Sequence, residues 1–327
     1  ALKPHPGYQL ELGVFGLYYY GNEKYSKLIP TFSLDYKFID FDFTVGTLHN
    51  EDLHRLIAPL MTSETLTDER RIENGSQIRY FSDRLRLDAW LNWETFIFKG
   101  DSKHEELVGG ITLDYALVKK ENWSLKVPIQ NLFYHHGGQI NVDLLGERNT
   151  FTTRYSAIGI DAKVKIVQNQ FLQSKTYFIQ HQSTAIPDDL IFDKGTGFLT
   201  ELVYNYKHFL VGIGYWKGKN FVSQRGDDMF QSVSKKTDTH YENNILQPYY
   251  KGHTEPDRSL ILGKLQYKHE LYPDLFVAMD FNLFYQNYAS HIEGDSESIK
   301  DKFLDFNYGI VVKYNGNFRL NKKQFNP

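Results

Sequence analysis

The sequence predicts an all-β chain: a closed antiparallel up-and-down transmembrane β-barrel of about 14 strands. Three observations carry that prediction. Apolar and polar residues alternate with period two along most of the chain. The alternating segments run roughly 9 to 13 residues, longer than an ordinary soluble strand. The connectors between them alternate long and tight from end to end, as they do when every second connector of an up-and-down barrel lies on the same rim.

The segments follow in order. Tyr8, Leu10, Leu12 and Val14 alternate with Gln9, Glu11 and Gly13. Phe32, Leu34 and Tyr36 alternate with Thr31, Ser33, Asp35 and Lys37, and Ile39, Phe41, Phe43 and Val45 with Asp40, Asp42 and Thr44. Leu85, Leu87, Ala89, Leu91 and Trp93 share one parity; Arg84, Arg86, Asp88, Asn92 and Glu94 share the other. The pattern returns at 111–115, 158–166, 277–286 and 305–314, and in weaker form near 72–81, 171–181 and 259–270. Successive strand side chains point to opposite faces, so each segment has an oily face and a polar one. Only LHRLIAPLM (53–61) suggests a helical turn, inside a loop. Long connectors fall near 21–26, 49–71, 98–105, 135–149, 182–196, 217–258 and 287–302. They make one domain over 1–327, with the barrel at about 7–315 and a tail at 316–327.

Length and volume decide which face meets lipid. Ten residues at about 3.3 Å each, tilted by about 40°, rise roughly 25 Å, the height of a barrel's apolar band. Eight strands enclose about what side chains can fill, so a wider barrel with its grease inside would hold a dry void. The oily parity therefore faces lipid, and the charged parity lines a wet or salt-bridged lumen. Tyr18, Tyr20, Tyr36, Trp93, Tyr115, Trp123, Tyr206, Tyr215, Tyr267 and Tyr314 lie on the oily parity near segment ends, as an aromatic girdle requires. Two packed soluble sheets would explain the alternation, but not the segment length together with the connector order.

Composition is compatible with this. The net charge of −3 does not favour nucleic acid, and cysteine is absent, which removes disulfides and thiolate metal sites. Mean hydropathy is −0.48, the value of a water-soluble chain by averaging alone. No run of about 18 apolar residues offers a membrane helix. The expected location is the bacterial outer membrane, with a signal peptide removed ahead of Ala1.

ENGSQ (73–77), DAWLNWETF (88–96), KGD (99–101), VPIQ (127–130) and HHGGQI (135–140) resemble a family of outer-membrane β-barrel proteins of Bacteroidota-type bacteria. The resemblance covers mainly residues 70–140. It implies a barrel and an outer-membrane location and implies no catalytic residue.

The leading functional expectation is a passive pore for small solutes. Asp40, Asp42, Arg84, Arg86, Asp88 and Glu94 on the inward parity set its selectivity, or else fill the lumen with salt bridges. The alternatives are a plugged barrel serving as a non-catalytic subunit of an outer-membrane complex, and a rim-site enzyme acting on lipid or glycan. No G-x-S-x-G, H-E-x-x-H or phosphate loop is present, and the chain is expected not to be an enzyme. His135 and His136 open a Gly-rich loop as ligand or metal candidates, but neighbours on a strand point apart and chelate poorly. His49 and His54 in HNEDLH are weighed as ligands against a solvated polar loop. No metal or cofactor is expected. Outer-membrane lipid, other outer-membrane proteins and small solutes are the expected partners. The 217–258 loop, with Tyr249 and Tyr250, is expected to constrict or cap the mouth or to dock a partner.

Overall fold

The computed structural model describes residues 2–5, 7–17, 27–50, 52–62, 72–99, 101, 104–137, 150–184, 192–232, 241–242, 245–246, 255–289 and 302–314. The 316–327 tail, Tyr18, Tyr20 and the Tyr249–Tyr250 pair lie outside them.

The strands are β1 (Leu2–His5), β2 (Tyr8–Leu17), β3 (Lys27–Phe38), β4 (Phe41–Thr47), β5 (Asn74–Phe81), β6 (Leu85–Thr95), β7 (Glu106–Lys119), β8 (Trp123–His136) and β9 (Phe151–Val167). After them come β10 (Gln170–Ser183), β11 (Lys194–Tyr206), β12 (Phe209–Lys219), the two-residue strands β13 (Tyr241–Glu242) and β14 (Ile245–Leu246), then β15 (Asp257–Tyr272), β16 (Leu275–Ala289) and β17 (Leu304–Tyr314). The ladder runs in chain order from β1 to β12 and on through β15 to β17, while β13 and β14 pair only with each other. Every neighbour is antiparallel. The fourteen long strands β2–β12 and β15–β17 form the up-and-down barrel, and all three of the weaker sequence segments are strands.

Tight turns occupy one end. Four of them carry a non-glycine residue with positive φ: Ile39 (53°), Asn169 (61°), Lys207 (55°) and Asp274 (68°). Two-residue hairpin turns need that left-handed backbone to match the strand twist, and branched Ile39 bears it at a steric cost.

The outward parity is mainly oily, interrupted by Ser174, Thr176 and Thr200 on β10 and β11. On β9 it reads Ile158, Ile160, Val164 and Ile166; on β10, Leu172 and Phe178; on β11, Phe198, Leu202, Tyr204 and Tyr206; on β12, Phe209, Val211 and Ile213, all exposed. In water this surface would be costly at roughly 25 cal/mol per Å² of apolar area; lipid removes that cost. Trp93, Tyr115, Trp123 and Tyr206 stand exposed on it near its two edges.

The lumen is not uniformly polar. Toward the long loops it holds Leu60, Met61, Trp90, Tyr155, Ile179, Trp216, Phe221, Phe230 and Leu260, packed as one buried cluster. The reason is that two loops, 48–62 and 220–232, fold inward and bring their own apolar side chains. Inward-facing residues of β6 to β12, β15 and β16 meet them.

Candidate functional site

The first loop enters the barrel after β4. Gly46 allows the entry: its φ is 105°, and a Cβ there would lie 2.2 Å from the Phe32 carbonyl oxygen. Its tip is a single turn, Leu53–Arg55, with φ of 51°, 55° and 63° at three consecutive non-glycine residues. Such left-handed geometry costs roughly 1–2 kcal/mol per residue, so other contacts must hold it.

His54 supplies them. Its Nδ1 lies 3.0 Å from Asp88 Oδ2 and its Nε2 2.7 Å from Glu73 Oε2. The ring stacks on Trp90 at 3.8 Å with planes 3° apart. Thr112 Oγ1 donates to the His54 carbonyl at 2.9 Å, and Gln77 Nε2 donates to Asp88 Oδ1 at 2.9 Å. Burial alone would push the imidazole's proton affinity down, but the hydrogen bonds to Asp88 and Glu73 and the two carboxylate charges outweigh it. The pKa rises to about 9, and the buried ring is an imidazolium at neutral pH. Beside it Arg55 pairs with Asp114 at 3.0 Å, His49 with Asp35 at 2.8 Å and Arg86 with Asp52 at 3.4 Å.

The second loop locks onto the first. Arg225 pairs with Glu94 and lies over the Tyr134 ring. Thr62 N donates to Arg225 O at 2.8 Å, and Asp227 N to Ala58 O at 2.9 Å. Buried Arg258 donates to the Gln231 carbonyl at 2.6 Å.

These contacts revise several expectations. His54 is fully buried rather than solvated, and its partner Glu73, not among the expected lumen residues, is buried just ahead of β5. Asp42, Arg86, Asp88 and Glu94 do face inward, but each is paired: Asp42 with Arg79 at 3.2 Å, the others with the loops. Asp40 and Arg84 do not line the lumen. They sit exposed in tight turns, because Ile39–Asp40 and Ser82–Arg84 are turn residues and not strand positions.

A second constellation lies outside the barrel, at the long-loop end. His135 and His136 point apart, as strand geometry demands. His136 turns inward and stacks on Phe151 at 5.2 Å. His135 shares the outward parity of β8 with Ile129 and Phe133, and its Nδ1 lies 2.8 Å from Oγ1 of its cross-strand partner Thr152. Thr152 is held from the other side by Thr184: its N–H donates to Thr184 Oγ1 at 2.9 Å, and its carbonyl accepts from Thr184 N at 3.0 Å.

The surroundings of this pair are graded. To one side Trp93, Phe96 and Phe98 form an exposed aromatic ledge with ring spacings of 5.3 and 5.1 Å. On the other, the outward parity turns polar toward the long-loop end of four strands: Arg154 and Ser156 on β9, Gln180 and Gln182 on β10, Lys194 and Thr196 on β11, and Lys217, opposite Phe198, and Lys219 on β12. Arg154 faces Gln182, and Gln182 faces Lys194, in direct register. A groove of about 550 Å³ runs between Arg154, Gln180, Gln182, Lys194 and Lys219. Cations on an outward wall just above an apolar band meet the headgroup layer of a lipid leaflet. Sequence reasoning passed over Thr152, Arg154 and Lys194. The signal was present, since Arg154 and Ser156 share the parity of Ile158 and Ile160.

The fold, with its lipid-facing band and two loops packed into the lumen, defines a bacterial outer-membrane β-barrel. OmpT, an outer membrane protein of Vibrio cholerae, has the same architecture: TM-score 0.50 at 10% identity, over 95% of this chain and 86% of that one. OpdL of Pseudomonas aeruginosa matches at TM-score 0.45 and 13% identity, over 88% and 72% of the two chains. A comparison with curated protein sequences found no match. The chain belongs to the lipid A 3'-O-deacylase-type family, whose model matches residues 1–323. That membership corrects the expectation of a non-enzymatic chain and of a merely structural subunit, because the family bears the name of an enzymatic activity. The absence of a serine-hydrolase motif misled, since such motifs mark a few families rather than ester hydrolysis in general.

Proposed function

We propose that the chain removes an ester-linked acyl group from lipid A at the outer face of its rim, with His135 as general base. The observation that carries this is the His135–Thr152 pair, 2.8 Å apart and facing outward at the boundary of the oily band. With Nδ1–H donating to Thr152 Oγ1, the tautomer is fixed and Nε2 is left basic. Nε2 takes a proton from water while the water oxygen attacks the ester carbonyl carbon. The carbon–oxygen bond to the sugar then breaks, and the proton passes to the departing sugar oxygen. Arg154, two residues along the same outward face from Thr152, is suited to the charge on the tetrahedral intermediate. Lys194 and Lys219 are suited to the phosphates, and the Trp93–Phe96–Phe98 ledge to the acyl chains.

A second reading, passage of small solutes, is favoured by one observation. Among the described residues, a Cβ on inward-facing Gly309 of β17 would meet nothing within 4 Å, and inward-facing Val311 is 52% exposed. Both readings are tested on one preparation. The refolded protein, incubated with lipid A in mixed micelles, is expected to release free fatty acid and leave a product lighter by one acyl chain in the mass spectrum; unchanged lipid A under conditions that preserve the fold would refute the first reading. Planar-bilayer recordings without stepwise conductance would refute the second.

A further inference from the structure

The opposite end of the barrel carries an unexplained concentration of charge. A cavity of about 400 Å³ opens at the tight-turn mouth of the lumen, lined by Lys120, Lys163, Lys165 and Lys207 with a single carboxylate, Glu121. None of the four lysines forms an ion pair among the described residues. Elsewhere at this end Lys119 pairs with Asp83 and Arg79 with Asp42. Asp161, the nearest inward carboxylate on β9, instead accepts from Gln173 Nε2 at 2.7 Å. Lys163 lies 3.6 Å from the centroid of inward-facing Phe171, while Lys120 and Lys207, at the turns, lie 5.6 Å from Trp123 and 5.3 Å from Tyr206 at the rim of the outer wall.

The frame around them is fixed. Lys165 N donates to Asn122 O at 2.8 Å, tying β9 to the β7–β8 turn, and Lys207 N donates to Asn169 O at 3.1 Å, tying two further turns together. Four lysines against one carboxylate leave the lining with an excess of positive charge, and an anion entering the cavity would offset that excess without rearranging the backbone. The remaining lining is amide-rich, with Asn122, Asn169, Gln170 and Asn205. Amides exchange hydrogen bonds with hydroxyl groups, and the volume is that of a small-ligand site.

We propose that this periplasmic mouth binds an anionic saccharide, a sugar carrying phosphate or carboxylate. The site is separate from the outer rim and does not depend on the activity proposed there. The test is calorimetry on the folded barrel in detergent micelles with N-acetylglucosamine 6-phosphate, N-acetylglucosamine and inorganic phosphate. The sugar phosphate should bind saturably and at least about tenfold more tightly than either fragment. Its affinity should fall with added salt, and by about tenfold or more in the Lys163→Gln/Lys165→Gln double variant and in the separate Lys207→Gln variant. Lys99→Gln, at the other rim, should bind as wild type. No saturable binding, equal binding of phosphate alone, or full affinity in both lysine variants would overturn the proposal.

Discussion

Replacing His135 by Gln is expected to slow acyl release from lipid A by about 10² to 10⁴, the contribution of a positioned general base. Glutamine keeps a polar side chain able to hydrogen-bond Thr152 but cannot accept a proton at neutral pH, so fold and lipid affinity should persist while turnover falls. Thr152→Val removes the partner of Nδ1 while leaving the imidazole in place. Loss of an orienting partner of this kind typically costs about 10- to 100-fold, so this variant should be slower than wild type yet faster than His135→Gln. The measurement is single-turnover fatty-acid release at saturating lipid. A His135→Gln rate within about threefold of wild type would remove the residue from the chemistry.

The second large effect concerns the lumen. His54→Leu leaves Glu73 and Asp88 buried without the cation between them, and breaking a buried pair from one side costs roughly 3–5 kcal/mol. The left-handed turn at 53–55 would then have lost what holds it, and loop 48–62 is expected to leave the lumen and become open to protease in the folded barrel. The pH dependence has a definite sign. The folded-state pKa of about 9 lies above the ordinary value of 6.5, so protonation favours the docked loop. That stabilisation is complete below about pH 6.5 and is lost as pH rises through about 9, on the order of 3 kcal/mol in all. Cleavage within 48–62 should therefore increase across that interval in wild type. In His54→Leu it should be high throughout. A cleavage rate that is flat from pH 6.5 to 10 in wild type would contradict the charged, doubly paired imidazole.

The barrel was legible because it is written locally. Period-two patterning states which face is oily wherever it occurs, and Leu12, Phe32, Ile158 and Val211 show that face exposed on β2, β3, β9 and β12. The lumen was only half legible. Asp88 and Glu94 could be assigned inward from parity alone, but their partners His54 and Arg225 come from loops distant in sequence, 34 and 131 residues away. Loop paths follow from tertiary contacts that no period encodes. The same limit hid the role of Glu73, which stands at the start of the weak 72–81 segment and meets its partner His54 only through the loop path. The rim was legible in one respect and missed in another. His135 stood out as a histidine next to glycines, whereas Thr152 reaches it only through the β8–β9 register, which the intervening connector leaves unspecified. Asp40 and Arg84 were misassigned for a simpler reason: parity continues through a tight turn on paper, while the backbone does not.

The proposed site lies on the outer wall, against lipid, while two loops pack inside the barrel. Photo-crosslinking in cells tests it directly, with p-benzoylphenylalanine at Phe133, beside His135 on the outer wall, or at Phe230 in the lumen cluster. Irradiation should give an adduct with lipopolysaccharide from position 133 and only internal crosslinks from position 230. Lipopolysaccharide adducts from 230 and none from 133 would contradict the account.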